Sequence, residues 1–115
     1  MENLIINFGK KKIALKAKEC KGIMKFIGLM FSNQEKDQIL IFKFNKLTKT
    51  PIHSYFCPKF LAVWTKNNKV IEYKLITRRE LSISPKYPFD TLIEIPVNKF
   101  NQPLINKFIT VDRKI

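Results

Sequence analysis

The chain has 115 residues, 45% of them hydrophobic and 12% aromatic, with ten Phe, which is enough apolar matter for one dry core without disulfide or metal staples. Its formal charge is +13, from 22 basic against nine acidic side chains. These figures exclude a disordered chain and argue for a single domain over 1–115; apolar runs such as Ile39 to Phe42 are far short of the roughly 20 residues of a membrane-spanning helix.

Met1 to Asn7 lacks the basic start, long apolar centre and small-residue cleavage site of a signal peptide, so a cytoplasmic location is expected. Leu4 to Phe8 reads as a first strand, with Gly9 and Lys10-Lys11 as its turn. Residues 11 to 18 then alternate, Ile13, Leu15 and Ala17 on one face and Lys12, Lys16 and Lys18 on the other, as a half-buried strand does. From Glu19 the period changes. Ile23, Phe26, Ile27 and Met30 stand at i, i+3, i+4 and i+7, the stripe of a short amphipathic helix that Gly28 helps to end. Gly22 weakens such a helix by roughly 1 kcal/mol relative to Ala, so packing must hold it.

Ser32 to Gln38 is a polar loop, and Ile39 to Phe44 an apolar segment of the right length for a buried strand. After a loop at Asn45 to Pro51, Ile52 to Cys57 reads as a short strand closed by Pro58, which has no amide donor for a ladder. Phe60 to Thr65 and Val70 to Ile76 flank Lys66-Asn67-Asn68-Lys69, and Asn tolerates the positive φ of a two-residue hairpin turn. Thr77 to Pro88 is polar and interrupted by prolines, an exposed loop whose Leu81 and Ile83 touch the body of the fold. Thr91 to Val97 alternates again, with Ile93, Ile95 and Val97 on one face and Glu94 on the other. A single helical turn within Asn98 to Asn106 and a last strand at Lys107 to Val111 complete the chain. About seven short strands, one short helix in the N-terminal half and frequent turns predict a mainly β fold, a small β-barrel or sandwich.

Taken in order, these segments resemble the domain-of-unknown-function family 192, small mostly-β proteins. The likeness runs from Ile13 to the C-terminus. Ile27-Gly28-Leu29-Met30-Phe31 is similar to that family's Arg-Gly-Leu-Met motif with Ile27 in place of the Arg, and the apolar strand Ile39-Leu40-Ile41-Phe42-Lys43-Phe44 and the aromatic segment His53-Ser54-Tyr55-Phe56 follow in the family's order. Phe60-Leu61-Ala62-Val63-Trp64 lacks the family's Asp, Asn67-Asn68-Lys69-Val70-Ile71 keeps its turn, and Ile93-Glu94-Ile95 matches its Leu-Glu-Leu strand, with Thr91 and Asn98 where a small residue and Gly are usual. The resemblance implies a divergent member, a mostly-β fold and no established activity.

Function is less legible than fold. The charge is carried almost wholly by Lys, only Arg78, Arg79 and Arg113 being Arg, and Lys lacks the bidentate fork with which dedicated nucleic-acid readers hold phosphates and guanine edges. Abundant Lys, Ile, Asn and Phe with few Gly also follow from an AT-rich genome. Two readings of the lysines therefore stand, a solvated surface and a polyanion-binding face. On the second, Lys59, Lys66, Lys69, Arg78 and Arg79 around the hairpin would meet nucleic acid or another polyanion, with Tyr55, Phe56, Phe60, Trp64 and Tyr73 as stacking platforms; the competing reading of these rings is core.

His53 with Cys57 and Cys20 could supply three zinc ligands, but residues four apart on a strand stand about 13 Å apart, and a satisfied histidine is the simpler reading. No glycine-rich turn beside either cysteine offers an oxyanion hole for a thiol nucleophile, and both cysteines are expected free. Glu94 amid apolar residues is either solvated on the outer face or part of a polar pocket with His53, Ser54 and Tyr55. The expectation is a non-enzymatic binding or interaction module without cofactor or metal, its rival an enzyme or small-ligand binder built on His53, Ser54, Tyr55 and Glu94; an oligomer built through spare strand edges is a third reading.

Overall fold

The computed structural model describes residues 2–21, 38–52, 59–79 and 82–113, the last three of them by backbone alone. The N-terminal hairpin forms as its alternation predicts: β1 (Glu2–Phe8) pairs antiparallel with β2 (Lys11–Glu19), Phe8 opposite Lys11. Gly9 turns the chain at φ 62°, a conformation in which a Cβ would crowd its own backbone. In β2 the side chains of Ile13, Leu15 and Ala17 are buried and those of Lys12, Lys16 and Lys18 exposed.

The predicted helix at Ile23 to Met30 lies outside the described residues. The chain returns at Ile39, and β3 (Leu40–Thr48) joins β2 in parallel, with Lys18 opposite Leu40 and Glu19 opposite Ile41. The second hairpin, β4 (Phe60–Lys66) and β5 (Lys69–Ile76), turns at Asn67 and Asn68 with φ of 51° and 63°, the doubly positive geometry expected of an Asn-Asn turn. Strand β6 (Phe89–Pro96) then inserts between β3 and β4, antiparallel to both. One parallel pair, Asn7 with Lys69, links β1 to β5, so six strands of one sheet close into a ring in the order β1-β2-β3-β6-β4-β5.

The ring buries two apolar layers. Its interior takes side chains from every strand, among them Ile6, Ile13, Leu15, Ile41, Leu61, Val63, Ile93 and Ile95, with Val70 and Tyr73 of β5 packed against them. The opposite face of β3, β4 and β6 carries a second cluster of Leu40, Phe42, Phe60, Ala62, Trp64 and Leu92, onto which Cys20, Ile83 and Phe89 pack. A strand covered on both faces cannot alternate, which is why Phe60 to Thr65 is buried without a break.

Six strands are seen among the described residues; of the expected strand Ile52 to Cys57 only Ile52 is described, where it makes an isolated antiparallel bridge to Ile83, and the rest lies outside the described residues. One expectation is corrected. The C-terminal strand and the single helical turn before it are replaced by one helix, α1 (Gln102–Arg113). Its start is fixed by Asn98, whose Oδ1 accepts the Asn101 amide at 2.9 Å, and by Asn101, whose Nδ2 donates to the Pro96 carbonyl at 2.9 Å. The β-branched run after Phe108 favours a strand locally, but Ile105 and Phe108, flanked by Leu104 and Ile109, lie on one helical face and bury it against the ring interior, and packing overrides propensity. The loop from Thr77 to Pro88 touches the body of the fold at Ile83, as expected, and Pro85 is buried with it; Leu81 lies outside the described residues.

Candidate functional site

Glu94 sits in the middle of β6, between Leu40 of β3 and Ala62 of β4. Alternation places it opposite Ile93 and Ile95 as expected, but the face it shares is the second apolar layer and not solvent. It is 5% exposed. Burial pushes its carboxyl from an ordinary 4.5 up to about 8, with no offsetting charge or hydrogen bond among the described residues, so the acid is held protonated near neutral pH. The solvated reading of Glu94 is thereby overturned.

Two further polar groups share that layer. Trp64 lies one pair along β4 from Ala62 on the same face, fully buried, and its Nε1 has no hydrogen-bond partner among the described residues. Cys20 is a free, buried thiol that its amide, donating to the Ile41 carbonyl at 2.9 Å, fixes beside β3; burial first and the nearby Glu94 second raise its pKa. Sequence reasoning named Glu94 but not these neighbours. His53, Ser54, Tyr55 and Cys57 lie outside the described residues, as do Phe56 and Pro58. Of the three possible zinc ligands only Cys20 is described, and among the described residues no three His, Cys, Asp or Glu side chains gather at one point.

The basic residues around the second hairpin are all exposed, but the structure separates them. Lys59 precedes Phe60, which pairs with Ile76, and Arg78 and Arg79 follow that strand end. Lys66 and Lys69 stand at the turn, about 20 Å along β4 from Lys59. The turn instead meets the first hairpin: the Asn7 amide donates to the Asn68 carbonyl at 2.7 Å. Because Lys12 pairs with Asn7, Asn7 with Lys69 and Lys69 with Lys66, these four residues form one row across four strands, at steps of about 4.8 Å. Lys10 and Lys11 of the first turn stand beside the row, so two turns distant in sequence bring five exposed lysines to one rim. Asp90 is the acidic neighbour, and its Oδ2 is taken by the Asn67 amide at 2.9 Å.

Elsewhere Lys43 is held by Glu2 and Glu19. None of the five rim lysines takes part in an ion pair among the described residues. The turn lysines were recognisable from the hairpin, whereas Lys10, Lys11 and Lys12 join them only through the closure of the ring. The stacking platform is corrected at the residues described: Phe60 and Trp64 are fully buried, and Tyr73 packs against the ring interior with its ring 5.6 Å from that of Phe8.

No helix among the described residues is long and apolar enough to cross a membrane. No protein-family model and no curated protein matches the chain. Among solved structures, the fold is similar to that of a protein of unknown function from Novosphingobium aromaticivorans, with a TM-score of 0.65 over 87% of this chain and 74% of that one, at 13% identity. At that identity the likeness is one of fold.

Proposed function

We propose that this chain is a small β-barrel domain, a divergent member of domain-of-unknown-function family 192, that works in the cytoplasm as a non-enzymatic binding module and meets an anionic partner through the rim where its two hairpin turns join. The observation that carries the binding reading is the lysine row. Lys66 and Lys69 stand directly opposite one another, a like-charge pair that destabilises a sheet, and Lys12 is placed two strands away with only Asn7 between. A solvated surface gains nothing from concentrating charge in this way, whereas a polyanion released of its counterions does.

Fluorescence anisotropy with a labelled polyglutamate and a labelled single-stranded oligonucleotide, each at two salt concentrations, tests this. Binding that weakens steeply with salt, and falls at least tenfold in a Lys66→Glu/Lys69→Glu double variant, is expected; no salt-sensitive binding to either probe at low salt overturns it. The family assignment is supported by the joint order of the segments ending in Ile93-Glu94-Ile95. A member of that family whose strands follow a different order would remove it.

A second reading rests on a separate observation, the buried carboxyl of Glu94 sharing a layer with the Trp64 Nε1, which has no hydrogen-bond partner among the described residues. A buried polar group without a partner costs about 1–3 kcal/mol, and a small ligand offering an acceptor to the indole beside the acid would recover that cost. A Glu94→Gln variant that binds every member of a fragment collection as the parent does would dismiss it.

A further inference from the structure

Beside the lysine rim the wall of the ring opens into a cleft of 390 Å³ lined by Phe8, Val70, Ile71, Glu72 and Tyr73. Its shape comes from a bulge in β5. Trp64 pairs with Glu72 and Thr65 with Val70, so Ile71 is an extra residue on β5 with no counterpart on β4. Bulges bend a strand and re-aim side chains, and are over-represented next to functional sites. Phe8, half-buried, forms one wall and pairs in register with the exposed Lys11, while Lys69 precedes Val70. The cleft thus offers mixed polar and apolar surface, with cations beside its mouth and one carboxylate at its edge. That carboxylate, Glu72, accepts the Lys86 amide through Oε1 at 3.1 Å, which fixes its position.

Resting on the reading of the rim as an anion-binding face, we infer that the partner is an extended acidic peptide that seats an apolar side chain in the bulge cleft. Two features select a peptide over nucleic acid, and a third allows it. A peptide backbone brings N–H donors to Glu72, whereas a phosphodiester backbone brings only acceptors, which a carboxylate repels. The apolar part of the lining, from Phe8, Val70, Ile71 and Tyr73, suits a Leu or Ile side chain better than the edge of a base. The rim cations are lysines, point charges that a carboxylate satisfies as well as a phosphate.

Three fluorescent probes in low salt discriminate: an acetylated heptapeptide alternating Glu and Leu, the same peptide with Ser for Leu, and a twelve-residue oligothymidylate. The Glu/Leu peptide is expected to bind at least tenfold more tightly than the Glu/Ser peptide. Ile71→Ser, at a half-exposed bulge position, is expected to erase that advantage while leaving Glu/Ser affinity unchanged, and Glu72→Lys to shift preference towards oligothymidylate. Equal affinity for the two peptides, or tighter oligothymidylate binding by the parent protein, overturns the inference and leaves the lysine rim standing. If no probe binds, both fall. Should Ile71→Ser fail to fold by circular dichroism, the parent's ranking of the three probes and the Glu72→Lys shift still separate a peptide partner from a nucleic acid.

Discussion

The Asn7 amide donates to the Asn68 carbonyl at 2.7 Å, and this bond fastens the end of β1 to a turn some sixty residues later in the chain. Asn68 can offer its carbonyl there because it holds a φ of 63°, which also lets the turn match the twist of its strands. Closure of the ring and assembly of the lysine rim therefore depend on the same two-residue turn.

Replacing Asn68 by Val forces a β-branched residue into the left-handed region and is expected to cost about 1–2 kcal/mol, while Asn68→Gly stays within about 0.5 kcal/mol of the parent. Urea unfolding of the three proteins checks this. Equal midpoints for Val and Gly would show that the turn does not strain its residue.

Glu94 makes stability depend on pH with a definite sign. Its carboxyl titrates at about 8 when folded and at an ordinary 4.5 when unfolded. Below 4.5 both states hold the proton; between 4.5 and 8 only the folded state does, so stability is lost as pH rises, by roughly tenfold in the unfolding equilibrium per pH unit. Glu94→Gln, neutral at every pH, should flatten this slope. Urea midpoints at pH 5, 6, 7 and 8 measure it, and a variant as steep as the parent would place the titrating group elsewhere.

The salt dependence of anion binding should separate the two groups of basic residues. Lys66→Gln with Lys69→Gln is expected to reduce the slope of log affinity against log salt by about 2, one for each cation removed from the rim. Lys59→Gln with Arg79→Gln, at the other end of the hairpin, leaves it unchanged. Equal reductions in the two pairs would mean diffuse attraction by net charge.

Helix α1 is an integral part of the core. Phe108 is fully buried, with its ring 5.6 Å from Phe8 and 6.0 Å from Tyr73. Phe108→Ala is expected to cost about 3–5 kcal/mol, and Lys107→Ala, on the exposed side, within about 0.5 kcal/mol. Chemical denaturation distinguishes an anchored helix from an appended one.

Alternation and turn chemistry are local, and they made much of the sheet legible from residue types. Ile13, Leu15 and Ala17 against Lys12, Lys16 and Lys18 announced β2, and Asn67-Asn68 announced the second hairpin with its geometry. Where local preference and tertiary packing disagreed, local reading failed. The β-branched run after Phe108 favours a strand, and it is helical because Ile105 and Phe108 have an apolar interior to cover.

The candidate sites depended more heavily on what the chain does at a distance. Glu94 was conspicuous as a carboxylate among apolar residues, but its burial requires a second layer, with Cys20 and Ile83 brought from outside the strand. The lysines of the turn at Asn67 were visible, and those at Gly9 could join them only once Asn7 met Lys69. Strand period and turn type are written in neighbouring residues because they arise from steric and hydrogen-bonding limits a few bonds long. Which faces are covered, and which charges become neighbours, follows from closing the ring, a condition on residues some sixty positions apart that no short stretch of the chain encodes.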